Sequence, residues 1–281
     1  SFNLEDQVRA YAVYGGTPAY LHTIQSQQSL NKNIVDGILT RGSFLYDEVR
    51  FVLQQELREP RNYFAILQAI AAGKTRLNEI KQATGIEGAT AYLDTLQQLH
   101  LVERLVPVTE TQPQKSRRGI YRLKDHYLRF WFRYVHPNRS QLERGGAQII
   151  LENQVMSEID HFSSLTFEEV CQQFFWQTGL SSKLPFVPTN IGNWWDANEE
   201  VDLVILGEND AILVECKWTS KPVGIDILAE LERKSNLVRT ELENCQIHFA
   251  LCSRSGFTSQ LIEDTKRRQD VALFDLPEIV R

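Results

Sequence analysis

Cysteine is scarce in this sequence, methionine scarcer, and long apolar runs are missing altogether. Of 281 residues, four are cysteine (Cys171, Cys216, Cys245 and Cys252) and one is methionine. No two cysteines form a CxxC pair, which argues against a zinc ribbon or a dithiol redox motif. They read as small core residues of a reducing cytoplasm. No stretch approaches the roughly 18 uninterrupted apolar residues of a membrane-crossing helix, and no charged-then-apolar leader opens the chain. A cytoplasmic location without a membrane partner is therefore expected. The six histidines (His22, His100, His126, His136, His161 and His248) show no ligand spacing and read as ordinary surface or core residues. The chain opens on Ser1 rather than Met, which suggests a fragment or a processed product.

What is present is an uneven charge. The net charge of −6 divides into −2 over residues 1–60, +7 over residues 61–150 and −11 over residues 151–281. A basic block inside an acidic protein is a candidate surface for a polyanion. It is equally a candidate for docking onto the acidic C-terminal part.

Within the basic block, "TRLNEIKQATGIEGATAYLDTLQQLHLVERLVPV" (Thr75 to Val108) has the rhythm helix, turn, helix, strand. Thr75 is placed to cap the first helix, and Gly85 to end it in the left-handed conformation. Ala89, Leu93, Leu96 and Leu99 make one apolar stripe on the second. "LVERLVPV" and "GIYRL" read as a hairpin whose loop carries Lys115, Arg117 and Arg118. This is the order of a winged helix-turn-helix with a basic wing, so these three residues are the candidate phosphate contacts. The presumed recognition helix exposes Thr90, Asp94, Thr95, Gln97 and Gln98. It lacks the Lys or Arg that would read guanine edges, and a protein-docking role fits such a helix too. "QAIAAGKT" ends like a phosphate-binding loop, but Gln68 replaces the first glycine and a helix precedes it, so nucleotide binding there is excluded. "LRFWFRYV" reads as a packed connector rather than a base-stacking platform.

From about Thr166 the pattern becomes mixed. "TFEEVCQQFFWQTG" is an amphipathic helix and "LPFVPT" a short strand. "EVDLVIL" and "AILVECKW" are firmer strands, followed by a helix over Ile225 to Leu242, a strand "IHFALC", a helix over Thr258 to Arg268 and a strand "VALFDL". The order α-β-β-β-α-β, with one further helix and strand, describes a mixed sheet flanked by helices. "NWWD" lies before the Asp202 strand, either lining a groove or capping the sheet.

"GEND" (Gly207 to Asp210) separates the two firm strands, a hairpin loop of common length. If Leu206 faces Ala211, Asp202 faces Glu215, and alternation puts Lys217 on the same face. Two acids directly opposite one another destabilise a sheet, and burial adds several kcal/mol per ion. A hard divalent cation accepts one or two carboxylates and keeps water, so Asp202, Glu215 and Lys217 read as a metal site with a helper lysine. The plain alternative is an internal salt bridge of Lys217 with either acid.

Asp202, twelve residues, then "ECK" resembles the PD-(D/E)xK nuclease superfamily over about residues 160–275, although Val201 stands where that superfamily often has proline. The resemblance implies a restriction-endonuclease-like fold and one or two Mg²⁺ (or Mn²⁺). It implies metal-dependent phosphodiester hydrolysis on nucleic acid, with DNA the expected partner. It also implies a further metal-site acid on the first helix, where Glu168 is the first choice and Glu169 the second. More widely, "YAVYGGTPAYL", "ELREPRNYFAILQAIAAG", "YRLKDHYLRFWFRYVHPN" and "ECKW" occur in an order similar to the C-terminal part of archaeal-type AAA/STAND ATPases bearing a nuclease-like domain. That implies a helical lid-like segment at 1–60, a winged helix at 61–135, a connector at 136–159 and a nuclease-like domain at 160–281. The ATP-binding core would be a partner lying N-terminal to Ser1. The resemblance equally allows an inactive nuclease fold that serves the ATPase as a DNA- or protein-binding regulatory module.

Overall fold

A computed structural model of the protein describes residues 2–57, 60–180, 184–242 and 245–280. The architecture is mixed α+β: helices, a two-stranded antiparallel pair and a five-stranded sheet. The chain forms two units, residues 1–105 with 119–159, and residues 106–118 with 160–281.

The first unit is mainly helical. It contains α1 (Leu4–Tyr14), α2 (Phe44–Glu56), α3 (Pro60–Ala71), α4 (Leu77–Thr84) and α5 (Ala89–Gln98). The antiparallel strands β1 (Val102–Leu105) and β2 (Ile120–Leu123) follow, and then α6 (His126–Phe130), which runs on into a π-helical turn at Trp131–Val135. Asn3 starts α1 by accepting the Asp6 N–H at 2.7 Å, the bond a helix N-terminus otherwise lacks. The start of α4 is capped from inside. The Glu79 carboxylate accepts the N–H groups of Thr75 and Arg76 at 3.1 and 3.0 Å, so Thr75 does not serve as the cap its sequence position suggests. Gly85 closes α4 at φ +67°, a conformation that costs a side-chain-bearing residue energy. The aromatic run Tyr127–Tyr134 is packed into the core of this unit. The Trp131 indole N–H donates to Tyr46 O at 2.8 Å, and the Tyr127 hydroxyl donates to Leu45 O. These two bonds tie α2 to α6 and to the turn that follows it.

The second unit is built on the sheet β3 (Asn190–Trp195), β4 (Glu200–Leu206), β5 (Asp210–Lys217), β6 (Gln246–Ser253) and β7 (Val271–Asp275), which lie side by side in that order. β3, β4 and β5 are antiparallel neighbours, whereas β6 and β7 run parallel to β5. The helix α7 (Met156–Leu180) precedes β3, α8 (Ile225–Val238) joins β5 to β6, and α9 (Ser259–Thr265) joins β6 to β7. The first strand is "NIGNWW" and not "LPFVPT". Pro185 and Pro188 have no N–H to give a ladder, so this segment meets the sheet only at its end, where Thr189 donates its N–H to Leu206 O at 2.7 Å. A bulge between Gly192 and Trp194 opens β3. There Val108 donates its N–H to Asn193 O at 2.9 Å, and a Cβ on Gly192 would meet Val108 Cβ at 3.2 Å, so glycine permits the approach.

β5 is central, and its apolar run follows from burial on both faces. Leu213 and Val204 face α8, packing with Leu228, Leu231 and Val238. Ile212, Val214 and Cys216 alternate to the other face, which α7 covers. On that face Phe174 and Phe175 meet Phe274 with ring centroids 5.2 and 5.3 Å apart, and Phe167 meets Trp218 at 5.1 Å.

Candidate active site

The β4–β5 hairpin fixes the site. Leu206 pairs with Ala211, Ile205 with Ile212, Val204 with Leu213 and Leu203 with Val214, so the next position sets Asp202 opposite Glu215. Parity puts Asp202, Glu215 and Lys217 on the face covered by α8.

Each acid is anchored differently. The Asp202 carboxylate accepts the Cys216 backbone N–H at 2.7 Å, and its main-chain carbonyl accepts the Asn193 side-chain amide at 2.6 Å. One Asp202 oxygen is thus held by the neighbouring strand, and the residue is half-buried. Glu215 is buried, at 6% exposure. Its Oε1 accepts from Lys217 Nζ at 2.5 Å and its Oε2 from Lys234 Nζ at 3.5 Å. The Lys217 side chain is 30% exposed and that of Lys234 11%, so the second ammonium is nearly as enclosed as the carboxylate it meets.

The electrostatics follow from this packing. Burial, and then the Glu215 charge, drive the Asp202 carboxyl well above the usual carboxylate range against the opposing pull of Lys217 and the Cys216 N–H. Burial pulls the Lys217 ammonium down, but Glu215, by charge and hydrogen bond, and Asp202 together lift it above its ordinary value. Two hard-oxygen acids and two ammonium groups therefore meet on one sheet face.

Lys234 has no place in the sequence motif. Its signal lies in α8, where Leu228, Leu231, Ser235 and Val238 form the buried stripe. Lys234 sits three residues beyond Leu231, on the edge of that stripe, where a solvated lysine has little reason to be.

Glu168 lies on α7, whose Phe167, Phe174 and Phe175 cover the opposite sheet face. The carboxylates of Glu168, Asp202 and Glu215 are not all within 4.8 Å of one another. Glu169, on the same helix, is half-buried.

The three basic loop residues separate into two kinds. Arg118 is tied down within the second unit. Its guanidinium pairs with Glu241 at 3.0 Å and Glu110 at 3.5 Å, donates to the Trp195 carbonyl, and lies 5.9 Å from the Trp194 ring centroid. The Trp195 indole N–H donates back to Arg118 O at 3.2 Å, Trp194 donates to Glu241 at 3.2 Å, and the Thr109 hydroxyl donates to the same carboxylate. The tryptophans of "NWWD" thus hold the loop rather than line an open groove. Lys115 and Arg117 are exposed and form no ion pair among the described residues. In the first unit, α5 turns Thr90, Asp94 and Gln98 to solvent and buries Ala89, Leu93 and Leu96.

Residues 131–236, which span the site, match the model of DUF234, a family described as archaeal and bacterial proteins of unknown function. The chain is similar to the uncharacterized protein MJECL04 of Methanocaldococcus jannaschii, with 34% identity over 284 residues. That alignment takes in 98% of this chain and 60% of the other protein, so the chain spans about three fifths of its relative's length. Among solved structures, protein VC1899 from Vibrio cholerae is 15% identical with a TM-score of 0.32, covering 77% of this chain and 48% of that one. Can2 from Sulfobacillus thermosulfidooxidans, solved in complex with cyclic tetra-adenylate, is 15% identical with a TM-score of 0.28, covering 84% of this chain and 56% of that one. At such scores both likenesses are loose and carry no functional weight. Among the described residues no helix is long and apolar enough to cross a membrane.

Proposed function

We propose that the second unit is a divalent-metal-dependent phosphodiesterase acting on nucleic acid. Asp202 and Glu215 are its metal-holding carboxylates, and Lys217 is its charge-stabilising lysine. The observation that carries this reading is the meeting of the two acids and Lys217 on one face of a hairpin. The element order supports it: a helix, three antiparallel strands, a crossover helix and a parallel fourth strand, the order of the PD-(D/E)xK core.

The donor set fits a hard cation. Mg²⁺ is held through one or two carboxylates, with water and substrate oxygens completing its shell, so Asp202 and Glu215 suffice without a third acid. Glu168 joins them only if α7 or its side chain shifts, and it stands as a secondary ligand. Bound Mg²⁺ or Mn²⁺ supplies a polarised phosphodiester and a water of lowered pKa. Lys217 stabilises the charge that develops on the phosphorus oxygens. Lys234 holds Glu215 in position and balances its charge when no cation is bound. The exposed Lys115 and Arg117 position the phosphate backbone. The α4–α5 pair followed by β1 and β2 supports the winged-helix reading of this region. Coupling of residues 1–60 to an ATP-binding core belongs to the same proposal and rests on the sequence resemblance alone.

One observation favours a second reading. Both Glu215 oxygens already have ammonium partners, as in a structural ion pair within an inactive nuclease fold that binds DNA or protein. Incubation of supercoiled and single-stranded DNA with the chain and Mg²⁺ or Mn²⁺, beside Glu215→Ala, separates the two. Metal-dependent cutting that disappears in the variant supports the enzyme. DNA retardation by both proteins without cutting supports the binding module.

A further inference from the structure

Three of the four cysteines, 45 and 36 residues apart in sequence, converge in space. Cys171 of α7, Cys216 of β5 and Cys252 of β6 have their sulfur atoms within 4.8 Å of one another. Cys216 and Cys252 are register partners on parallel strands, and Cys171 comes down on them from the covering helix. All three are buried, at 0%, 8% and 0% exposure, and none forms a disulfide. Cys245 stands outside the cluster and is half-buried. The trio lies on the α7 face of the sheet, opposite the face of Glu215 and Lys217, the two residues that flank Cys216 in the chain.

We infer that Cys171, Cys216 and Cys252 form a structural site for one thiophilic d¹⁰ cation of the zinc class. A Zn–S bond of about 2.3 Å sets the sulfurs of a tetrahedral site about 3.8 Å apart, inside the 4.8 Å within which the three sulfurs lie. Three thiolates are soft donors that select such a cation over Mg²⁺, so this site and the carboxylate face do not compete for one metal. On binding, three thiols lose their protons to solvent and three metal–sulfur bonds form, with no change of oxidation state. The bound ion ties α7, β5 and β6 together directly behind Glu215, adding binding free energy to the stability of the sheet. This inference stands whether or not the carboxylate face is catalytic.

The test uses the full chain, unfolded in guanidinium with reductant under anaerobic conditions, then refolded with Cd²⁺ or Zn²⁺ and desalted. Refolding lets the ion reach a site that is closed in the folded protein. The expected result is about one Cd²⁺ retained per chain, with the ultraviolet charge-transfer absorption of a cadmium thiolate and a raised thermal midpoint for the zinc form. Cys171→Ser and Cys252→Ser lose the absorption and the thermal shift, while Cys245→Ser keeps both. Cys252→Ala serves where the serine variant fails to fold by circular dichroism. Folded wild-type protein that retains no metal overturns the inference, whatever the variants do. So does absorption that survives in both cluster variants, or a disulfide between two of the three formed in preference to metal binding.

Discussion

Replacing Glu215 by Gln keeps the volume of the side chain and removes its charge, leaving two ammonium groups without the carboxylate between them. At an effective dielectric of about 20, attraction to a unit charge is about 7 kcal/mol at the Lys217 distance of 2.5 Å and about 5 kcal/mol at the Lys234 distance of 3.5 Å. Desolvation of all three groups opposes most of that, and removing one partner of a buried pair costs about 3–5 kcal/mol net. Lys217, 30% exposed, can turn its ammonium to water, whereas Lys234, at 11%, is less free to do so. The expected loss therefore sits at the lower end, about 3 kcal/mol. Lys234→Met leaves Glu215 its shorter partner and costs about 1 kcal/mol. The double variant costs about 2 kcal/mol rather than the sum, because the ammonium left without a counter-charge is gone. Urea unfolding with EDTA present, followed by tryptophan fluorescence, reads this unit well. Trp176, Trp194, Trp195 and Trp218 lie in it, and only Trp131 lies in the other. A Glu215→Gln change within about 0.5 kcal/mol of wild type, or strictly additive single variants, refutes the reasoning: the lysines would then be solvated neighbours rather than partners.

Arg118→Ala removes the Glu241 and Glu110 pairs and the bond to the Trp195 carbonyl, and is expected to destabilise the second unit by about 2 kcal/mol. Lys115→Ala and Arg117→Ala leave stability within about 0.5 kcal/mol but weaken DNA retardation and flatten its salt dependence. Burial, with Arg139 and Arg50 nearby, holds the His136 imidazole below its ordinary value. As pH falls the unfolded chain therefore takes up the proton first. The stability His136 contributes is complete above about pH 6.5 and is lost progressively below it. Emission from Trp131, whose ring centroid is 5.1 Å from that of His136, follows the change, and His136→Phe flattens the pH profile. Gly85→Ala, at φ +67°, costs about 1 kcal/mol in thermal or urea unfolding of the first unit.

The part of the site that was legible in the sequence is the part set by local rules. The short loop after Leu206 pins that residue to Ala211, and alternation then carries Asp202, Glu215 and Lys217 to one face with no knowledge of the rest of the fold. Gly85 was readable for the same reason, since a left-handed helix end is a one-residue requirement. What escaped depends on packing between distant segments. Lys234 meets Glu215 only because α8 lies over β5. The three cysteines follow no spacing, because one comes from a helix and two from strands on either side of a crossover. Arg118 reads as a free basic residue until Glu241, 123 residues away, is beside it. β3 is hard to place from sequence because "LPFVPT" has the apolar look of a strand, yet its two prolines leave only Thr189 to bond β4, while Gly192 and the adjoining bulge let "NIGNWW" accept Val108.

Binding of Mn²⁺ to the full chain, counted by electron paramagnetic resonance or calorimetry in wild type, Asp202→Asn and Glu215→Gln, tests the central claim without requiring that any substrate be known. A Mn²⁺ site is expected in wild type, lost in both variants and kept in Cys252→Ser. Equal binding by all four proteins, or none by folded wild type, would contradict it and leave Glu215, Lys217 and Lys234 as a structural ion-pair cluster.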